Sequence, residues 1–185
     1  MSGEEKIKSA VELALEKTAG MKVTPEDVAA FQDKTLRDRA RGLAAKFMDG
    51  QKRSSDLEKE LSQTDREERE QFRATLSEEL FSFVQLGADC ARPLEGLEAI
   101  AGGERKAHLK KLEALIETYR AEYSKAEEKR TSNLLDSLKK GGISGSAVLP
   151  NLRDDEEWLK TSKNLRLARE PKLQELRALL LKASP

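Results

Sequence analysis

A single cysteine, Cys90, in 185 residues excludes an internal disulfide framework. A single histidine, His108, excludes the paired-histidine metal sites of helical bundles. Those need Glu-x-x-His on two helices, and here the position three before His108 is Arg105. Aromatic residues are 4% of the chain, and all apolar residues together are 37%, against roughly 45–50% in ordinary globular domains. A compact single core would be thin, which favours extended helix pairs or self-association. Neither charge sign is in excess, with 34 basic and 34 acidic side chains, so nothing draws the whole chain to nucleic acid or to an acidic membrane. No apolar run approaches the roughly 18 residues that span a bilayer, so no membrane insertion is expected. The start, MSGEEKIKSAVELAL, has acids where a signal peptide has bases, and Glu12 breaks its apolar run. The expected compartment is reducing and cytoplasmic.

What the chain does have is helix periodicity and helix punctuation. Ser2 and Glu5 form a capping-box pair, followed by Ile7, Val11, Ala14 and Leu15 at helical spacing and a stop at Gly20. Thr24-Pro25-Glu26-Asp27 predicts a second start, whose apolar face is Val28, Phe31, Leu43 and Phe47, with Leu36 at its edge, up to Gly50. Ser55 and Glu58 predict a further capping box ahead of Leu57 and Leu61. The apolar-free stretch after Leu61 places a joint at Ser62–Thr64. Phe72, Leu76, Leu80, Phe83, Leu86 and Cys90 form one stripe, and Pro93 is expected to stop that helix. From Leu109 a heptad register runs through Leu112, Ile116, Tyr119, Tyr123, Ala126, Arg130, Asn133 and Ser137. Its first half is apolar and its second half polar, so packing should be firm near Leu112–Tyr123 and looser near Arg130. Gly141-Gly142 ends it. Beyond residue 152, Trp158, Leu159 and Leu165 begin a last helical segment, Pro171 is expected to kink or restart it, and Leu173, Leu176, Leu179 and Leu180 complete its face.

The stretch Gly141–Leu152, GGISGSAVLPNL, carries no charge in a chain that is 37% charged. Helix–helix connections commonly run about 2–8 residues, so this one is long. Its first half is small and permissive. Its second half is apolar and stiffened by Pro150, which biases Leu149 toward an extended conformation. A hinge followed by an extended apolar strip is the chemistry of a segment that docks in a groove. Ile143, Ser144, Val148, Leu149, Pro150, Asn151 and Trp158 are the candidate partner-binding residues. Asn151 is also a helix cap, and Trp158 packs on the loop or on the long helix.

Catalytic readings find little to stand on. Cys90 lies on an apolar stripe, where a free cysteine behaves as a small hydrophobe. A nucleophile there would depend on His108 for its base. Acid pairs such as Glu67-Glu68 and Glu78-Glu79 fit solvated helix faces. Gly142-Ile143-Ser144-Gly145 is a GxxG behind Lys139-Lys140, but the nucleic-acid module that uses GxxG also needs a sheet that this sequence does not predict. A phosphate loop needs G-K-[ST] after a strand, and here Ser146-Ala147 follows a helix.

The segment ISGSAVLPNL before the acids and Trp158, with KSAVELALEKT at Lys8–Thr18 and VTPEDVAAF at Val23–Phe31, resembles a family of small uncharacterised bacterial helical proteins, a domain of unknown function. The resemblance implies a bacterial origin and no catalytic residues. It marks the loop as a unit.

The expected fold is all-α: a long antiparallel, coiled-coil-like helical hairpin, 65–91 against 104–140, with additional amino- and carboxy-terminal helices. The expected segments are an amino-terminal helical pair at 1–50, the long hairpin at 51–140, the apolar loop at 141–152 and carboxy-terminal helices at 153–185, together one structural unit. The expected function is a non-catalytic scaffold or adaptor with protein partners, possible as a homodimer, and without cofactor or metal. Two readings stand beside it. One is a nucleic-acid or ribosome-associated factor using Lys139, Lys140, Arg153 and the GxxG. The other is a metal-binding or enzymatic bundle around His108 and Cys90.

Overall fold

The computed structural model describes residues 24–182, so the expected helix around Ile7–Leu15 lies outside the described residues. The chain forms two compact units, divided between Asp38 and Arg39. Six α-helices are present among the described residues: α1 (Pro25–Met48), α2 (Ser54–Gln63), α3 (Arg69–Phe81), α4 (Ala91–Ile100), α5 (Arg105–Lys140) and α6 (Glu156–Leu181). A 3-10 turn at Leu152–Asp154 precedes α6. No strand occurs among the described residues, and no helix there is long and apolar enough to cross a membrane.

In the first unit, Thr24 caps α1 as its sequence predicts. Its Oγ1 accepts from the Asp27 amide at 3.2 Å, and the Asp27 carboxylate accepts from the Thr24 amide at 2.9 Å. These bonds to Thr24 hold the Asp27 carboxyl below the usual carboxylate range. Val28 and Phe31 are exposed and Leu36 is buried; the part of α1 that lies in the second unit buries Ala40, Leu43 and Phe47.

In the second unit, α4 is the hub, packing on α2, α3 and α5. Its Gly96 admits the closest approach. A Cβ there would lie 2.7 Å from Phe47 Cε1 and 3.1 Å from a Leu80 methyl. Phe47, Leu57, Phe72, Leu76, Leu80, Leu112 and Leu176 are fully buried.

The long antiparallel hairpin is present, but its arms are α5 and α6, not 65–91 and 104–140. Arg130 meets Asp155, Tyr123 meets Trp158, Glu122 meets Arg169, and Arg105 meets Leu180. The numbers fall along α5 as they rise along α6, which makes the arms antiparallel. At 1.5 Å per residue, α5 is about 54 Å long and α6 about 39 Å, whereas α3 reaches only about 20 Å. The stripe from Phe72 is cut short because α3 ends at Phe81. Ser82 Oγ donates to the Glu79 carbonyl at 2.6 Å, a local bond that competes with helix continuation, and Gly87 then takes a positive φ of 91°. Phe83 is consequently exposed, while Phe81 and Val84 are buried. Pro93 does not stop a helix. It sits in the first turn of α4, where a missing N–H costs nothing because that turn has no acceptor for it. Cys90 precedes that helix, and its Sγ donates to the Gln85 carbonyl at 3.3 Å.

The joint after Leu61 is real: Thr64 is extended, and turns carry the chain to Arg69. The α2 cap is Arg53 with Asp56, not Ser55 with Glu58; the Arg53 amide donates to Asp56 Oδ2 at 2.9 Å. Pro171 neither restarts nor ends α6, which runs through it.

Candidate recognition loop and its anchor

Helix α5 ends in a Schellman motif. The Ile143 amide donates to the Leu138 carbonyl at 2.9 Å and the Gly142 amide to the Lys139 carbonyl at 3.1 Å. This requires the left-handed conformation that Gly142 adopts, with φ 84°. Beyond it Ile143 is 54% exposed, Ser144 is exposed, and the chain turns again at Gly145, whose carbonyl accepts from the Val148 amide at 3.2 Å. Val148 and Pro150 are half-buried, and Leu149 is 87% exposed. The described helices therefore do not cover the tip of the apolar strip.

The far end of the loop is pinned. Asn151 is exposed and caps the 3-10 turn rather than α6: its Oδ1 accepts from the Arg153 amide at 3.0 Å, and its Nδ2 donates to Asp154 at 2.6 Å. The cap of α6 is Asp155, whose Oδ1 accepts from the Trp158 amide at 2.7 Å. The same carboxylate takes two bonds from Arg130, at 2.8 and 2.7 Å, and Arg130 also donates to Glu157. A fork from α5 thus grips the amino terminus of α6, where negative charge also meets the positive end of the helix dipole. Arg130 occupies the polar seam position that the heptad register exposed, and loose packing there takes the form of an ion pair instead of a void.

Trp158 is not beside the exposed loop residues as a binding surface. It is 5% exposed, and its ring meets Tyr123 edge-on with centroids 5.0 Å apart. It belongs to the interior of the hairpin. The structure therefore separates the seven candidate residues. Ile143, Ser144, Leu149 and Asn151 face solvent, Val148 and Pro150 are intermediate, and Trp158 is internal.

The Arg130 hydrogen bonds, aided by the Trp158 amide, hold the Asp155 carboxyl below the usual carboxylate range against the opposing effect of burial. A carboxyl depressed in the folded state contributes stability that is complete at neutral pH. That contribution is lost as pH falls through the unfolded value of about 4 toward the folded one. Replacing Asp155 with Asn should lower the urea midpoint at pH 7 and flatten its decline below about pH 4. An unchanged acid limb in the variant would show that the clamp contributes nothing to folding.

Three arginines carry helix ends in a way their sequence context did not signal. Arg92 donates to the Phe47 and Lys52 carbonyls at and beyond the end of α1, Arg69 to the Ser62 and Thr64 carbonyls at the end of α2, and Arg105 to the Leu180 and Lys182 carbonyls at the end of α6. Each satisfies carbonyls that have no intrahelical donor. The Nδ1 atom of His108 is buried without a hydrogen-bond partner, and no cluster of metal-binding side chains occurs among the described residues.

Comparison with known protein families, curated proteins and solved structures finds no match.

Proposed function

We propose that this protein is a non-catalytic helical adaptor that binds a protein partner through the 141–152 loop. The observation that carries the reading is Leu149, 87% exposed on an uncharged strip whose two ends are fixed. A Schellman motif fixes one end, and the Asn151 turn with the Arg130–Asp155 clamp fixes the other. Anchoring both ends lowers the conformational entropy that docking would otherwise cost. An exposed apolar strip held on a rigid support suits a groove in another protein. Trp158 supports the platform and is not itself a contact.

The test is a paired replacement of Val148 and Leu149 by Ser. Far-UV circular dichroism and the thermal midpoint should stay near wild type, since neither side chain is fully buried. Cross-linking and co-purification from the native host should show at least about a tenfold loss of the partner, because two apolar anchors lose their burial. If the partner is a second copy, sedimentation at micromolar concentration should fall from about twice the 20.7 kDa chain mass to one. Unchanged association would reduce the loop to a linker. Association that collapses steeply with added salt would favour the nucleic-acid reading through Lys139, Lys140 and Arg153.

A further inference from the structure

A groove of 740 Å³ lies away from the loop, between the turn at Gln85–Ala88 and the middle of the α5–α6 hairpin. Its apolar lining includes Ile116, Tyr119 and Tyr123 from α5, Leu86 from the turn and Leu167 from α6. Three cations lie along it, Arg120, Lys163 and Arg166, and no acid lines it. None of the three forms an ion pair with a described residue, whereas Arg105, Arg130 and Arg169 of the same two helices are paired.

A second observation points into the same space. Tyr119 is 3% exposed, and its hydroxyl, without a hydrogen-bond partner among the described residues, is left to solvent. That hydroxyl faces Gly87, where a Cβ would come within 3.8 Å of it. Gly87 has a φ of 91°, so the position resists any side chain that would close the groove. Burial raises the Tyr119 phenol above its ordinary value, with Tyr123 adding and Arg166 opposing, so the group is a neutral donor at physiological pH. A neighbouring hollow of 250 Å³ shares Gln85, Leu86 and Arg166 but also holds Glu170, so it lacks a single sign of charge.

We infer that the groove binds a small amphipathic anion, with its aromatic or apolar body on Tyr119, Tyr123 and Leu167 and its acidic group among Arg120, Lys163 and Arg166. Size argues for a small molecule over a helical peptide. The lining runs from Ile116 to Tyr123 on α5 and from Ser162 to Leu167 on α6, about 10 Å and 7 Å by helix rise. A docked amphipathic helix needs a longer track. The volume falls within the roughly 300–1,000 Å³ of small-molecule sites.

The test uses the full chain and two fluorescent probes that share a ring system and differ in charge. One is the anion 8-anilinonaphthalene-1-sulfonate, and the other is its uncharged parent N-phenyl-1-naphthylamine. Saturable one-to-one binding of the anion, at least about tenfold tighter than the parent, is expected. Arg120→Glu with Arg166→Glu should weaken the anion about tenfold or more and leave the parent unchanged. Tyr119→Phe should weaken the anion a few-fold, and Leu167→Ser should weaken both probes. Both charge-reversed positions are exposed, and a circular-dichroism melt verifies that the variants fold. Competition by 2-naphthoate against 1-naphthyl phosphate distinguishes a carboxylate from a phosphate ligand; displacement by either supports the site. Equal affinity for the two probes, or anion binding indifferent to charge reversal, overturns the proposal. So does displacement by an acidic peptide where neither small competitor acts, an outcome that would assign the groove to a protein segment.

Discussion

Replacing Trp158 with Ala should destabilise the protein by about 3–5 kcal/mol, a large share of the 5–15 kcal/mol that holds a typical domain together. The side chain is almost wholly buried, and its edge-on contact with Tyr123 adds to what burial alone contributes. Its amide is also the donor to the capping carboxylate of α6, so the first turn of that helix and the tryptophan ring are fixed together. The loss should appear as a lower urea midpoint followed by circular dichroism at 222 nm. Fluorescence cannot report on the variant, since Trp158 is the chain's sole tryptophan. A loss below about 1 kcal/mol accompanied by weakened partner binding would contradict the interior placement and return Trp158 to the recognition surface.

Gly96→Leu should cost about 3 kcal/mol or more, and Gly96→Ala about 1–3 kcal/mol. The alanine result has a sign opposite to that of helix propensity, which by itself favours alanine over glycine by about 1 kcal/mol inside a helix. Space decides. The added Cβ would stand 2.7 Å from an edge carbon of Phe47, a fully buried ring that must shift to admit it. Shrinking the obstacle supplies the control: Phe47→Leu combined with Gly96→Ala should lose less than the two single variants added together. Additive losses would mean that the close approach is not the cause.

The all-α character was legible because helix periodicity and caps are local. Thr24 with Asp27, the break after Leu61 and the double glycine at 141–142 each depend on neighbours within a few residues. What depended on distant chain was harder to read. Phe72–Cys90 keeps helical spacing past the point where α3 ends, and the burial of Leu86 and Cys90 arises from a folded-back turn that mimics that spacing. Pro93 is ambiguous by sequence, because proline both ends helices and opens them. The second arm of the hairpin was misplaced because both 65–91 and the carboxy-terminal segment offer an apolar face, and only length favours the latter. At the candidate loop, lack of charge set residues 141–152 apart from the helices on either side. Enclosure of Trp158 depends on Tyr123, 35 positions before it in sequence. Arg69, Arg92 and Arg105 left no signal, since an arginine that will cap a distant helix has the same neighbours in sequence as one that will face solvent.

Arg105 also bears on the order of events. The α5–α6 hairpin can close progressively from its turn, each rung shortening the loop needed for the next. The bonds from Arg105 to Leu180 and Lys182 join residues 75 and 77 positions apart, at the open end of that hairpin. Closure from the turn predicts that they form last on folding and break first on opening. An interaction absent from the transition state leaves the folding rate alone and slows unfolding. The guanidinium, buried and also paired with Glu70 at 3.1 Å, is therefore expected to act as a latch: removing it should speed unfolding and leave the folding rate unchanged.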